Sequence, residues 1–149
     1  MPYALELLTP LKIKEQDALY YKGLLFKTFF KFLVNRIINL SRLYSSGMDI
    51  DKDKIEKGKR YLLSLAESVK MEPHTIWDDP MRYSSRQEKW MKMGGQLGLF
   101  LLSGDMIPFY PYLMLGEHIS VGLHTTSGFG RYTIRNVSPP EKGDVKALV

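Results

Sequence analysis

Near the start of the chain the apolar positions recur every second residue, with Leu5 and Leu7, then Leu11 and Ile13, set among polar neighbours between Tyr3 and Lys14. Alternation puts one set of side chains on one face of an extended backbone, so this segment predicts a strand. Thr9-Pro10 interrupts it, and proline, which donates no ladder hydrogen bond, marks an edge or a bulge there. From about Tyr20 to Tyr44 the period lengthens: Phe26, Phe29, Phe30, Leu33, Ile37 and Leu40 are spaced by three and four, while Lys27, Lys31, Asn35 and Arg42 fall on the other side. That is the pattern of a long amphipathic helix with a basic solvated face. Ser45-Ser46-Gly47 closes it, and the aspartates at 49, 51 and 53 offer N-caps for a second helix to about Lys70, with Ile55, Leu62, Leu65, Ala66 and Val69 as its buried stripe.

Beyond Pro73 the character changes. A polar, aromatic and basic run, Arg82 to Trp90, leads through Gly94-Gly95 into the apolar run Leu97 to Leu102, which predicts two strands around a glycine-rich break. Pro108 suits the opening turn of a third helix, in which Phe109, Leu113, Gly116 and Ile119 recur at helical spacing. Arg131 to Val137 alternates well enough to be a closing strand, and the segment after Pro139-Pro140 is expected to be a loose tail, so that residues 1–138 form one domain and 139–149 a flexible extension.

Composition narrows the class. Across 149 residues, 44% are hydrophobic and 25% charged, the balance of one globular domain, long enough to bury a core without staples. No cysteine is present, which excludes disulfide frameworks, thiolate metal sites and cysteine nucleophiles. Met1-Pro2-Tyr3-Ala4 has no signal-peptide pattern, and the two greasy stretches, 24–44 and 97–115, are broken by Lys27, Lys31 and Arg36 and by Asp105, Pro108 and Pro111. A cytoplasmic protein without membrane spans is the expectation. A net charge of +5 permits a polyanionic partner without demonstrating one.

Candidate chemistry concentrates in the glycine-rich second half. Gly128-Phe129-Gly130-Arg131 has the ingredients of a backbone nest that turns N–H groups toward an anion, although a tight turn into the last strand reads the same way. Residues 82–92 hold Arg82, Arg86, Lys89 and Lys92 against Glu88, with Tyr83 and Trp90 interleaved. Such a mixture neutralises phosphates and offers stacking faces to unpaired bases, or else forms a solvated sheet face over two packed rings. Of the three histidines, His124 precedes the glycine loop and is the better placed for acid–base work, while His118 sits in the third helix; neither they nor His74 have metal-ligand spacing. The aspartates at 49–53 resemble the start of a calcium loop, but Lys54 and Arg60 stand where Gly and a bidentate Glu are needed. No Walker, dinucleotide-binding or serine-elbow pattern occurs, and neither a cofactor nor a metal is expected.

Four stretches in order, Leu8 to Lys14, Arg82 to Gln87, Met93 to Gly98, and Leu115 to His118 running on to Thr126-Ser127-Gly128-Phe129-Gly130-Arg131-Tyr132, together resemble the C-terminal domain of the CRISPR-associated endoribonucleases that process precursor CRISPR RNA, within the repeat-associated (RAMP) superfamily. The resemblance implies an α+β, ferredoxin-like βαββαβ domain, here with an additional helix after the first long one, and a glycine-rich loop near the RNA. It also implies a metal-independent attack of a ribose 2′-OH on the adjacent phosphate, leaving a 2′,3′-cyclic phosphate. Lys12, Arg82, Arg86, Gly128, Gly130 and Arg131 are then the RNA-binding candidates, and His124 and His118 the catalytic ones. The partners implied are CRISPR repeat RNA and a second domain of similar fold or a homodimer mate. Two other readings stay open: a nonenzymatic RNA-binding scaffold subunit of a CRISPR effector complex, and a ferredoxin-like oligomerisation or small-ligand domain.

Overall fold

The structure is a computed structural model; it describes residues 3–16, 18–20, 23–44, 52–78, 94–125 and 128–137 in full and the backbone of 81–84 and 89–92. Among the described residues eight strands and three helices follow one another as β1 (Tyr3–Leu7), β2 (Lys14–Glu15), β3 (Ala18–Leu19), α1 (Phe26–Tyr44), α2 (Lys52–Ala66), β4 (Lys70–Asp78), β5 (Met81–Ser84), β6 (Lys89–Lys92), β7 (Gly95–Ser103), α3 (Tyr110–Ile119) and β8 (Tyr132–Asn136). The main sheet has the order β4-β7-β1-β8 with every neighbouring pair antiparallel. That arrangement, with α1 between the first and second sheet strands and α3 between the third and fourth, is the split βαββαβ of a ferredoxin-like fold. The extra helix expected after α1 is present as α2.

Packing follows the periods of the chain. Phe26, Phe29, Phe30 and Leu33 of α1 are fully buried with Leu5, Phe100 and Leu102 of the sheet and Leu113 of α3. Phe109 meets Phe26 and Phe30 edge-on, at centroid distances of 5.1 and 4.9 Å, and Phe29 meets Tyr132 at 5.6 Å. Edge-to-face pairs of this kind add roughly 0.5–1.5 kcal/mol each beyond the area they bury. Tyr132 donates its hydroxyl to the Leu113 carbonyl at 2.7 Å, and burial pushes its pKa far above the usual tyrosine value, with the Glu117 charge adding to the shift, so the buried hydroxyl keeps its proton. Glu117 in turn accepts from the Ile134 backbone N–H at 2.6 Å, occupying a donor on the outer side of edge strand β8 and fastening α3 to it. Arg36 reaches the same C-terminal end of that helix, donating to the Ile119 carbonyl at 2.8 Å.

The strand assignment in the middle of the chain needs correction. The periodicity predicts helix to about Lys70 and strands over 82–92 and 97–102, whereas the second strand of the main sheet is β4, residues 70–78. Pro73 reads as a breaker, but β4 is an edge strand, where a missing N–H costs no ladder bond. The 82–92 block instead forms the short pair β5–β6. Asp78 faces Gly95 and Met81 faces Lys92, each three positions further along, so β5 and β6 carry on the register of β4 and β7 as one long hairpin. The start of the chain also differs from a single interrupted strand: after β1 only Leu11 bridges to Gln96, and Lys14–Glu15 joins a separate two-residue pair. Helix α1 begins at Phe26 rather than near Tyr20. The residues Asp49 and Asp51 and the 139–149 tail lie outside the described residues. Among the described residues no helix is long and apolar enough to cross a membrane.

Candidate nucleic-acid interface

Three segments far apart in sequence converge where β1 ends. Past Leu7 the chain runs as Leu8 to Ile13 between the first residues of β7 and the loop 121–131. On one side Leu11 and Gln96 exchange both backbone hydrogen bonds, at 2.8 and 2.7 Å. On the other, the Leu123 N–H donates to the Lys12 carbonyl at 2.9 Å and the Gly130 N–H to the Pro10 carbonyl at 2.9 Å. The loop closes on itself through Val121 N–H to the Gly130 carbonyl, Phe129 N–H to the His124 carbonyl and Gly128 N–H to the Thr125 carbonyl, at 3.0, 3.1 and 3.0 Å.

Two glycines in that loop have different reasons to be glycine. Gly130 has φ of +78°, and a Cβ there would lie 1.7 Å from the Val121 carbonyl oxygen, so backbone contact excludes any side chain. Gly128 has φ of +92°, yet a Cβ there would meet nothing within 4 Å. The turn at 128 is thus open to whatever approaches it, while the turn at 130 is the tight contact that shapes it.

Gln96 fixes the base of the long hairpin against this region. Its buried amide accepts from Thr75 Oγ1 at 2.8 Å and from the Gly23 N–H at 3.0 Å, and donates to the carbonyls of Tyr20 at 2.8 Å and Gly23 at 3.0 Å. Both polar atoms of the Gln96 amide are thus satisfied, the condition under which a buried polar network specifies a unique arrangement.

Of the candidate residues, the structure brings together Lys12, His124, Gly128, Gly130 and Arg131. His124 has φ of +61° and presents its ring edge-on to Phe129 at 5.8 Å. Partial desolvation, and secondarily the Lys12 ammonium, hold its pKa below the ordinary imidazole value, so at neutral pH it is poised as an acceptor of a proton. The Arg131 side chain is exposed, and its backbone is fixed on both sides: the carbonyl accepts from Leu8 and Thr9 N–H groups at 2.8 and 3.3 Å, and its own N–H donates to Thr9 Oγ1 at 2.9 Å. His118 is exposed in the last turn of α3, with no hydrogen bond or ring contact to the described residues of this loop. Arg82 lies on β5 opposite Met91 in the hairpin register, and Arg86 lies outside the described residues. No group of three or more metal-ligating side chains converges among the described residues. Thr9, Gln96 and Glu117 escaped functional attention in the sequence: Thr9 read as part of a strand break, and only their folded partners reveal what their polar atoms do.

Together these observations define a ferredoxin-like α+β domain carrying a glycine loop flanked by basic residues and one histidine. The sequence signature of the family described as CRISPR-associated endoribonuclease Cas6 matches residues 5–132, and the chain belongs to that family. Among solved structures, a partial Cas6-RT-Cas1–Cas2 complex aligns with 95% of this chain at a TM-score of 0.63 and 14% identity, over 23% of its own chain. A Cas6 from Thermus thermophilus aligns with 90% of this chain at a TM-score of 0.57 and 12% identity, and a Cas6 product complex with 91% at 0.52 and 13%. The chain spans 53% and 51% of the lengths of those two Cas6 proteins. At such identities the likeness is one of fold. A comparison with curated protein sequences found no match.

Proposed function

We propose that this chain is the RNA-recognition domain of a CRISPR repeat-processing endoribonuclease, and that it receives repeat RNA at the loop built from residues 9–12 and 121–131. The observation that carries this reading is the juxtaposition of Lys12, His124 and Arg131 around the open turn at Gly128. Two cations, Lys12 half-buried and Arg131 exposed, beside a turn with no Cβ in the way match a phosphate, whose binding energy comes from charge and from close backbone approach. The long hairpin, with Arg82 on β5, would extend the footprint along the strand.

Metal-independent cleavage requires a group to take the 2′-OH proton as its oxygen attacks phosphorus, a cation to stabilise the added negative charge, and an acid to protonate the departing 5′-oxygen. A depressed pKa suits His124 to the first role, and Lys12 and Arg131 to the second. His118, exposed on α3, is the weaker candidate for the third because no described contact brings it to the loop. The family resemblance is the support for the product being a 2′,3′-cyclic phosphate, and for a second domain of similar fold or a homodimer mate completing the site.

The test is incubation of the chain with end-labelled repeat RNA in EDTA, resolved on native and denaturing gels from one tube. A shifted band with cleavage that His124→Ala abolishes supports the whole reading. A shift without cleavage assigns the chain recognition alone, as in a scaffold subunit, and no shift at low salt overturns the RNA reading.

A further inference from the structure

We infer that Thr9 is a positioning residue for the glycine loop: its hydroxyl clasps both ends of the open turn and holds the turn in the shape that receives a phosphate. This rests on the RNA reading above. The geometry is specific to one oxygen. Thr9 Oγ1 donates to the Gly128 carbonyl at 2.6 Å and accepts from the Arg131 N–H at 2.9 Å, joining positions 119 and 122 residues away. Between those two anchors lies the Gly130 contact with Pro10, so residues 128, 130 and 131 are each tied to the dipeptide Thr9-Pro10.

The other bonds of the loop reach different atoms. The N–H groups of Gly128, Phe129 and Val121 close the loop onto itself and that of Leu123 ties it to Lys12, and among the described residues none of these bonds uses the Gly128 carbonyl or the Arg131 N–H. A β-branched side chain has a restricted χ1, so the hydroxyl is held in place before any ligand arrives. Thr9 is only partly buried, so water can replace its two bonds when it is removed, and the fold survives the loss. What is lost is preorganisation: an unclasped turn must be ordered by the RNA at the expense of affinity.

The test compares the unaltered chain with Thr9→Val, which keeps the shape and removes the hydroxyl, and Thr9→Ser, which keeps the hydroxyl. Three quantities are read: the melting temperature, the amide exchange rate of Arg131, and the Kd for single-stranded repeat RNA across a salt series. The clasp predicts that Thr9→Val exchanges the Arg131 amide faster and binds RNA about five- to tenfold more weakly. Its dependence on salt stays unchanged, because no cation has been removed. Thr9→Ser restores both. Faster exchange with unaltered RNA affinity overturns the positioning role while leaving the hydrogen bonds real. Equal exchange in all three proteins overturns the clasp itself. Failure of the unaltered chain to bind RNA overturns the RNA reading, and the positioning role with it, whatever the exchange rates show.

Discussion

Beneath α1 and α3 the contacts are ring against ring, whereas around the loop 121–131 they are main chain against main chain. In the first region Phe26, Phe29, Phe30, Phe109 and Tyr132 are buried within one cluster, where Phe26, Phe30 and Phe109 each meet the other two and Phe29 meets Tyr132. In the second, single hydrogen bonds to the carbonyls of Pro10 and Lys12, with the two bonds of the Thr9 hydroxyl, set the path of the loop, and a carbonyl oxygen sits where a Cβ at Gly130 would be. A core of this kind stores stability in amount; the loop stores it in shape. That difference makes the loop the part of the molecule able to present backbone and cations to a ligand in a fixed arrangement.

The contrast can be tested from its largest effect downward. Phe30→Ala should destabilise the chain by about 3–5 kcal/mol in urea unfolding, through lost burial and the cavity left under Phe109 and Tyr112. Gly130→Ala should cost about 3 kcal/mol or more although it adds a single methyl group, because the backbone at Val121 must move and the residue keeps a positive φ. Gly128→Ala, with the same sign of φ and open space around it, should cost only about 1–2 kcal/mol. Equal costs at the two glycines would break the distinction between the tight turn and the open one. Tyr132→Phe should lose about 1–3 kcal/mol, since the buried Leu113 carbonyl is left without its donor, with no change in RNA binding.

A smaller effect is expected with pH. The folded chain holds His124 below the ordinary imidazole value of 6.5, so the unfolded chain binds more protons between the two values and stability rises with pH there. The contribution of His124 is complete above that ordinary value and is lost as pH falls toward the folded one. Melting temperatures across this window should therefore decline on acidification, and His124→Gln should flatten the decline; a steeper decline in the variant would contradict the assignment. Smallest of all, Lys27→Ala removes the ion pair with Glu67 on the exposed side of α1 and should leave the melting temperature unchanged within error.

Much of the frame was legible before any coordinates. The 3.6-residue period of α1 marked its buried aromatic face, and the alternation of Leu5, Leu7 and Tyr132 to Ile134 marked the strands that form the centre and edge of the sheet. Strand β4 was not legible, because its pattern of exposure does not alternate cleanly and Pro73 is a breaker everywhere except on an edge. The basic block 82–92 was visible as charge and aromatics, but its place on a hairpin continuing β4 and β7 depended on a register set elsewhere in the sheet.

Sequence by itself determined the elements whose physics is local: helix period, strand alternation, the concentration of glycine in the second half, and the absence of cysteine chemistry. It also placed His124 and Arg131 beside a glycine turn, since they are its near neighbours in the chain. Only the tertiary structure decided that Lys12 and Thr9 join them, that Gln96 satisfies four groups at once, and that Gly130 must be glycine while Gly128 faces open space. The contacts that bring in Thr9 and Lys12 and that tie Gln96 to residues 20–23 join positions more than seventy apart, and no local period encodes which backbone groups will meet once the sheet has closed.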